Sequence, residues 1–133
     1  MQAYATAQRC LDLTTVWVRE RETFGRPLSS RQVVRHRVAE MAREVDVART
    51  YTRAVVEDWL AGEDVLARVA MAKNTAVLAC DRVVDAAVQL HGGMGCMRES
   101  EVERHYRDSR ILGIGGGTTE IMTEVIAKLL LPA

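Results

Sequence analysis

Proline, the strongest breaker of helices, occurs only twice in this sequence, as Pro27 and Pro132. Residues 28–131 therefore form a long segment without proline. Because proline lacks a backbone donor and its ring clashes with the preceding helical turn, its absence leaves helices free to continue. Aromatic residues make up only 5% of the chain, and runs of β-favouring residues are scarce. These features predict an all-α protein.

Apolar residues recur at alternating steps of four and three through residues 34–59, a spacing that places them along one face of a bundled helix. The members of this predicted seam are Val34, Val38, Met41, Val45, Ala48, Thr52, Val55 and Trp59. Ser29 or Ser30 can cap the start of this helix, and Gly62 can end it in a left-handed conformation. The sequence thus predicts one helix about thirty residues long.

The same periodicity predicts long helices on both sides of this one. The first has a seam of Tyr4, Ala7, Leu11, Thr14 and Val18, and ends before the turn at residues 24–27. The third begins after Asp64, a possible cap, and has a seam of Leu66, Val69, Lys73, Ala76, Cys80, Val83, Ala87 and Leu90. Because the turn at Gly62 is so short, the helices it joins must pack antiparallel.

Two shorter helices complete the predicted fold. Ser100 and Glu103 have the spacing of a capping box and start a charged helix that runs to about Arg110. Thr118 and Thr119 open the last helix, which is predicted to bury Ile121, Met122, Val125, Ile126, Leu129 and Leu130. We predict an antiparallel up-and-down bundle of about five helices, three of them long. It forms a single domain over residues 1–133.

The overall charge is balanced, with eighteen Lys and Arg against eighteen Asp and Glu. No global field therefore favours nucleic acid or a membrane surface. No apolar run reaches the roughly 20 residues of a membrane span, and no signal sequence is evident. The three cysteines are odd in number and lack C-x-x-C spacing, which argues against a disulfide framework or zinc. We expect a soluble, cytoplasmic protein.

Arginine is locally concentrated, since residues 19–37 carry six arginines and two glutamates. Guanidinium groups bind phosphate oxygens through paired hydrogen bonds, and the neighbouring Phe24 can pack on a ring system. A cofactor that carries a diphosphate would meet both features. About half of these six arginines are expected instead to be ordinary solvated helix residues.

Two glycine-rich segments, residues 89–95 and 115–117, allow a ligand to approach the backbone closely, or they are simple interhelix loops. His91, in the first, is as compatible with a structural role as with a ligand contact, while His36 and His105 are expected at the surface. No histidine has a glutamate three residues before it, so a di-iron site of the helical-bundle type is not expected. Lys73 is expected to be structural, reaching out from its seam or pairing with an acid.

Three segments together resemble the C-terminal domain of the flavin-dependent acyl-CoA dehydrogenases. They are Arg21-Glu22-Thr23-Phe24-Gly25 with Gln32 after it, Gln89-Leu90-His91-Gly92-Gly93-Met94-Gly95, and Tyr106-Arg107-Asp108 leading to Gly116-Gly117-Thr118-Thr119-Glu120-Ile121. The resemblance covers essentially the whole chain. It implies a helical bundle that contacts FAD where it meets a middle β domain and the bundle of a neighbouring subunit. It also implies a homodimer or homotetramer, and acyl-CoA as the substrate of the intact enzyme.

The resemblance also implies roles for particular residues. Arg21 would contact the FAD diphosphate across the dimer interface, with Phe24 and Gln32 in the same contact. The adenosine side of the neighbour's FAD would be approached by Gln89, Leu90, His91, Gly92 and Gly93. Thr118 and Glu120 would lie beside the flavin. The turn on the substrate side would consist of Gly115, Gly116 and Gly117.

The catalytic base of the family has no counterpart here. Many members place a glutamate in the turn where this chain has Gly116. The long-chain and isovaleryl types, which this sequence resembles more, place the base on the helix before the Arg-x-x-Phe-Gly motif, at a position that would precede Met1. Neither Glu99 nor Glu120 is assigned as a base, so no catalytic residue is predicted. The family's N-terminal helical and middle β domains are also missing from these residues.

Two functions remain open. The chain is either the C-terminal bundle of an acyl-CoA dehydrogenase, as a fragment or a separately encoded subunit that is inactive by itself, or a non-catalytic partner subunit or interaction module that completes the FAD site of a companion chain. A nucleic-acid-binding domain is disfavoured because the net charge is zero and aromatic residues are few.

Overall fold

The computed structural model describes residues 1–132, which form five α-helices, one small β-hairpin and three short 3₁₀ helices (Leu28–Ser30, Gly92–Cys96 and Arg110–Gly113). The helices are α1 (Gln2–Glu20), α2 (Gln32–Leu60), α3 (Leu66–His91), α4 (Glu101–Ser109) and α5 (Thr119–Leu130). The hairpin pairs β1 (Glu22–Thr23) with β2 (Arg26–Pro27). The predicted helical bundle with three long helices is confirmed. Ala133, the last residue of the predicted domain, lies outside the described residues.

Helix α3 is the centre of the bundle, because α1, α2, α4 and α5 all pack against it. Most of its buried side chains are small, which lets the neighbouring helices approach closely; they include Ala70, Ala72, Ala76, Ala79, Cys80, Ala86 and Ala87. Larger side chains from α2, such as Met41 and Val45, fill the space that remains. Burying a side chain of this size contributes about 1.5–3 kcal/mol.

The three long helices run up, down and up. Trp17 in the last turn of α1 donates from Nε1 to the carbonyl oxygen of Leu90, near the end of α3 (3.1 Å). Ala3, near the start of α1, lines the same cavity as Ala72, near the start of α3. Helices α1 and α3 therefore run parallel, and α2 runs antiparallel to α3.

The predicted seams are correct in the middle of the bundle and wrong at one end. Six of the eight seam residues predicted for α2 are buried, but Trp59 is 63% exposed. Leu66 and Val69, predicted in the seam of α3, are likewise exposed. Val55 lies level with the start of α1, since it lines the same cavity as Ala3. Trp59 and Leu66 lie beyond that level, where α1 does not cover them.

Two of the predicted helix caps are wrong. Arg31, rather than Ser29 or Ser30, occupies the cap position of α2, and Ser30 Oγ donates to Pro27 O (2.8 Å). Ser100 does precede α4, but its side chain makes no capping bond within the described residues. The carboxylate of Glu103 instead accepts a hydrogen bond from Arg107 one turn later (3.2 Å), so the capping box does not form.

The turn between α2 and α3 follows the prediction at Gly62, whereas Val65 rather than Asp64 occupies the cap position of α3. Gly62 has a φ of 86°, in the left-handed region. Asp64 Oδ1 accepts a hydrogen bond from the backbone N–H of Leu66, the first residue of α3 (3.2 Å). Together they reverse the chain within a few residues.

Helix α4 is fixed to α1 by a cluster of ion pairs. The guanidinium of Arg9 donates to both oxygens of Glu101 (2.8 and 2.9 Å), and His105 Nε2 lies 3.1 Å from the same carboxylate. The Arg9 guanidinium, followed by His105, lowers the pKa of Glu101 to about 2. His36 is exposed as predicted, whereas His105 is half-buried by this contact.

The prediction that α5 buries its apolar residues is wrong for this chain. None of its residues is buried, and Ile121, Leu129 and Leu130 are each 46–62% exposed. The cause is that α5 packs chiefly on α3, which covers only one of its sides. No helix within residues 1–132 is both long and apolar enough to cross a membrane.

Candidate functional site

Three side chains stack where α1 and α3 end. The rings of Trp17 and His91 lie 5.0 Å apart between centroids, with 18° between their planes. The guanidinium carbon of Arg21, the residue that ends α1, lies 5.9 Å from the centre of the Trp17 ring. Arg21 is therefore held beside an aromatic surface, within range of a cation–π contact.

The ring of His91 is held in one orientation. Its Nδ1 lies 2.8 Å from the carbonyl oxygen of Ala87. Because a carbonyl only accepts, Nδ1 carries the hydrogen and the neutral ring leaves Nε2 as an acceptor. Burial lowers the pKa of His91, although the bond to Ala87 opposes this effect. Burial therefore favours the neutral form of His91, and the permanent positive charges at this end of the bundle are those of arginine side chains such as Arg21.

A surface cavity of about 640 Å³ lies against this stack. Its lining contains six of the predicted site residues, namely Arg21, Gln89, Leu90, His91, Gly92 and Gly93. Gly92 ends α3 with a φ of 60°, a conformation that favours glycine. A guanidinium beside a glycine backbone and aromatic rings suits a ligand that joins an anionic group to a flat ring.

Phe24 and Gln32, also predicted as site residues, do not line this cavity. Phe24 occupies the turn of the hairpin, where its φ of 52° and the 72° of Gly25 give the two positive values of a type I′ turn. Its ring is 96% exposed. Gln32 is exposed as the first residue of α2.

Arg31 and Arg35 have structural roles that the sequence did not reveal. Arg31 donates to both the carbonyl and the hydroxyl oxygen of Thr23 (2.8 and 3.0 Å), and its guanidinium carbon lies 5.5 Å from the centre of the Phe24 ring. Arg35 donates to Ser30 O (2.7 Å). These arginines therefore support the hairpin and the start of α2, which accounts for part of the arginine-rich segment.

The second predicted group of residues lies in the turn before α5. Gly116 and Gly117 have φ values of 65° and 97°. Thr118 caps α5, because its hydroxyl accepts a hydrogen bond from the N–H of Ile121 (3.3 Å), as the sequence predicted. Glu120 is exposed in the first turn, and its own backbone N–H, followed by the Thr118 and Thr119 hydroxyls, lowers its pKa. A carboxylate in this position stays charged and is a poor proton acceptor.

The turn contains no base. A Cβ added to Gly116 would have no atom within 4 Å, so the position has open space but no side chain. Glu99, which was not assigned a role, is exposed on the loop before α4. Within residues 1–132, no group of three or more His, Cys, Asp or Glu side chains could hold a metal ion.

Lys73 reaches the turn from α3. Its Nζ donates to the carbonyl oxygen of Gly115 (3.0 Å), so its partner is a carbonyl rather than an acid. Both residues line a second cavity of about 490 Å³, which is mostly apolar and also includes Ala3 and Val55. The sequence predicted a structural role for Lys73 but not this bond to the turn.

The two groups of predicted site residues lie at opposite ends of the bundle. Trp17 marks one cavity and Ala3 the other, and both belong to α1. Fourteen residues of helix separate them, which is about 21 Å. The structure thus brings the residues of the first cavity together and separates them from the turn before α5.

The family model described as "Acyl-CoA dehydrogenase, C-terminal domain" matches residues 1–131. Among curated relatives, a probable acyl-CoA dehydrogenase of Bacillus subtilis is 39% identical over 131 residues, covering 97% of this chain and 34% of the relative. The human short-chain specific acyl-CoA dehydrogenase is also 39% identical, over 98% of this chain and 32% of its own. The chain therefore spans about a third of the length of these relatives.

Solved structures show the same similarity. A probable acyl-CoA dehydrogenase from Mycobacterium abscessus superposes with a TM-score of 0.96 at 74% identity, over 97% of this chain and 34% of that one. Butyryl-CoA dehydrogenase from Megasphaera elsdenii superposes with a TM-score of 0.96 at 32% identity, over 98% of this chain and 34% of its own.

Proposed function

We propose, since this chain belongs to the family of acyl-CoA dehydrogenase C-terminal domains, that it is the FAD-contacting and oligomerisation domain of an acyl-CoA dehydrogenase. Such an enzyme removes hydrogen from the α and β carbons of an acyl-CoA thioester. The chemistry that FAD supplies when bound is acceptance of the β-hydride. The residues of this chain bind and orient the cofactor, and the base that takes the α-proton comes from elsewhere.

The cavity beside Arg21 is the observation that carries this proposal. The guanidinium of Arg21 can donate two hydrogen bonds to a diphosphate. Because this guanidinium stacks on Trp17, its conformational freedom is limited before any ligand binds. Gly92 and Gly93 leave the backbone open next to it, since a Cβ at either position would have no atom within 4 Å. These groups fit the diphosphate and adenosine portions of FAD.

The two groups of residues lie at levels about 21 Å apart along α1, which supports the proposal that they contact two different FAD molecules. On this proposal, Arg21 and residues 89–93 contact the FAD of a neighbouring subunit. Thr118, Glu120 and the turn at residues 115–117 lie beside the flavin and substrate of their own subunit. Phe24 and Gln32 remain proposed contacts at the interface, where the full exposure of the Phe24 ring would allow them.

A homodimer or homotetramer follows from the same proposal. The exposed apolar residues of α5, including Leu129 and Leu130, provide surface that an assembly could bury. Sedimentation velocity over a range of concentrations tests this, and we expect a dimer or larger assembly at micromolar protein. A monomer throughout that range would contradict the oligomerisation role.

Binding of FAD to the full chain tests the cofactor role. Quenching of flavin fluorescence should show saturable binding with a Kd no larger than about 1 mM. This Kd corresponds to a binding free energy of about −4 kcal/mol. Arg21→Met should weaken binding about tenfold, the effect expected from losing a charge-assisted hydrogen bond. Arg19→Met is the matched control, because Arg19 is also exposed near the end of α1 but does not line the cavity. Equal binding by the two variants would contradict the proposal.

The chain by itself should not catalyse the reaction. Mixing it with FAD, acyl-CoA and an artificial electron acceptor should give no turnover above a control without protein. This expectation rests on Gly116, which leaves the turn without a carboxylate. Turnover would show that a base is present after all.

A second candidate function is a non-catalytic partner subunit that completes the FAD site of a companion chain. The proposed placement of Arg21 and residues 89–93 against the FAD of another subunit fits this function as well. The coding sequence upstream of Met1 distinguishes the two functions. An in-frame extension that encodes further domains would contradict the second function, whereas a separate neighbouring reading frame for those domains would favour it.

The cytoplasm is the compartment that we propose. All three cysteines are free thiols, which suits a reducing environment. Fractionation of cells that express the protein, followed by immunoblotting, would test this location.

A further inference from the structure

We propose that Lys73 is a positioning residue for the turn at residues 115–117, which it connects to the core of the bundle. This inference rests on the proposed function, because only then does the turn face a flavin and a substrate. Lys73 lies on α3, where the sequence pattern would place an apolar residue, and its side chain is partly buried. A lysine there must give up part of its hydration, so its retention needs a compensating contact. The bond to Gly115 O supplies one.

The next residue of α3 holds the other end of the turn. Asn74 Nδ2 donates to the carbonyl oxygen of Thr119 (3.0 Å) and lies 3.2 Å from the hydroxyl oxygen of Thr123, both on α5. Lys73 therefore binds the first residue of the glycine turn, and Asn74 binds the chain two residues after its end. Because both belong to the central helix, the turn takes its position from the most buried element of the fold.

The turn itself has few other contacts that could fix its position. The Gly115 amide donates to Ile111 O (2.8 Å), but this bond lies within the preceding turn of the same segment. At Gly116 a Cβ would meet nothing within 4 Å, whereas at Gly117 it would meet the flexible end of Met122, on α5. Glycine also has more backbone freedom than any other residue, so a turn with three of them in a row is flexible unless its ends are held.

Hydrogen exchange of the full chain, measured by mass spectrometry without FAD, tests the positioning role. Lys73→Met keeps most of the aliphatic stem but removes the donor. Peptides that cover residues 113–120 should exchange about fivefold faster, the effect of losing one hydrogen bond. Exchange in α1 and α2 should not change. Lys73→Arg restores a donor and should return exchange in the turn to within about twofold of the wild-type rate.

The only other lysine of the chain provides a matched control. Lys128 is exposed on α5, where its Nζ lies 3.3 Å from Glu124. Lys128→Met should leave the turn unchanged. Unchanged exchange in Lys73→Met would overturn the proposal. Faster exchange across all the helices would also overturn it, because Lys73 would then support general stability. So would failure of Lys73→Arg to restore the wild-type rate.

The visible absorption of FAD added to the same variants links the turn to the cofactor. Lys73→Met should shift the spectrum of bound FAD, and Lys73→Arg should restore it. If the wild-type chain binds no FAD, the proposed function fails while the exchange result still stands. If FAD binds and its spectrum is identical in all variants, the positioning role at the flavin is overturned.

Discussion

The imidazole of His91 lies flat against the indole of Trp17, with 5.0 Å between the ring centroids. Trp17 also donates to Leu90 O, so one side chain of α1 holds both the ring and the backbone where α3 ends. Arg21 packs on the same indole. The geometry of the first cavity therefore depends on Trp17, which the sequence pattern alone did not identify.

Replacement of Trp17 should separate its two contributions. Trp17→Phe keeps a ring for stacking but loses the bond to Leu90 O, and should lower the free energy of unfolding by about 1 kcal/mol. Trp17→Ala also loses the stack and the buried area of a half-buried ring, and should cost about 2–3 kcal/mol. Urea unfolding at pH 7 measures both values. Equal losses in the two variants would show that the stacking contributes nothing.

Trp17→Ala should also change the titration of His91. Burial lowers the pKa of His91 below its ordinary value of 6.5. Removing the indole exposes the imidazole and should move the pKa back toward that value. NMR titration of the imidazole protons gives the pKa directly. A pKa that does not change would mean that other neighbours bury the ring.

Glycine is required at residue 95 but not at residue 93. A Cβ at Gly95 would lie 2.6 Å from the carbonyl oxygen of Val88, a backbone atom that cannot move cheaply. A Cβ at Gly93 would meet nothing within 4 Å. We expect Gly95→Ala to lower the free energy of unfolding by about 1–3 kcal/mol and Gly93→Ala to change it by less than about 0.5 kcal/mol. Thermal unfolding followed by circular dichroism compares the two, and a similar loss in both would contradict the close approach of Gly95 to Val88.

The ion pairs of Glu101 should make stability depend on pH in the acid range. Arg9 and His105 lower the pKa of Glu101 from 4.5 to about 2. A carboxylate with a lowered pKa stabilises the fold above its unfolded pKa, and that stabilisation is lost as the pH falls from 4.5 through about 2. The gap in stability between wild type and Glu101→Gln should therefore narrow over this range. A gap that stays constant down to about pH 2 would contradict the pairing.

The three cysteines should differ in reactivity. Burial raises the pKa of both Cys10 and Cys80 to about 12, whereas Cys96 is exposed. Since the thiolate is the reactive form, one thiol per chain should react rapidly with Ellman's reagent at pH 8, and all three should react in denaturant. The native Cys96→Ser variant should show no rapid reaction. Rapid reaction of a second thiol would mean that the contact between α1 and α3 opens readily.

The long helices were predictable because they depend on local information. Missing prolines and the four-and-three spacing identify α1, α2 and α3, and Gly62 marks the turn between two of them. The same pattern could not show which parts of a helix have no other helix packed against them. Trp59 and Leu129 fit their helical seams, yet both are exposed because no helix within residues 1–132 covers them.

The candidate site was predictable only in part. The motifs identified Arg21 and the residues around His91, and the structure places them in one cavity. They did not identify Trp17, which lies outside the predicted seam of α1, nor the bond between Lys73 and Gly115. Such contacts join residues 42 or more positions apart, and side-chain direction at that distance depends on packing rather than on local sequence.

Phe24 combines a left-handed backbone with a ring that is 96% exposed. Such a conformation is unfavourable for a bulky residue, and here the type I′ turn and Arg31 hold it in place. The backbone that carries the ring is thus fixed when the chain folds, before the ring meets another surface. A group that packs against the ring later therefore has little backbone entropy to remove, so the contact can form with less loss of binding free energy than an aromatic residue on a flexible loop would require.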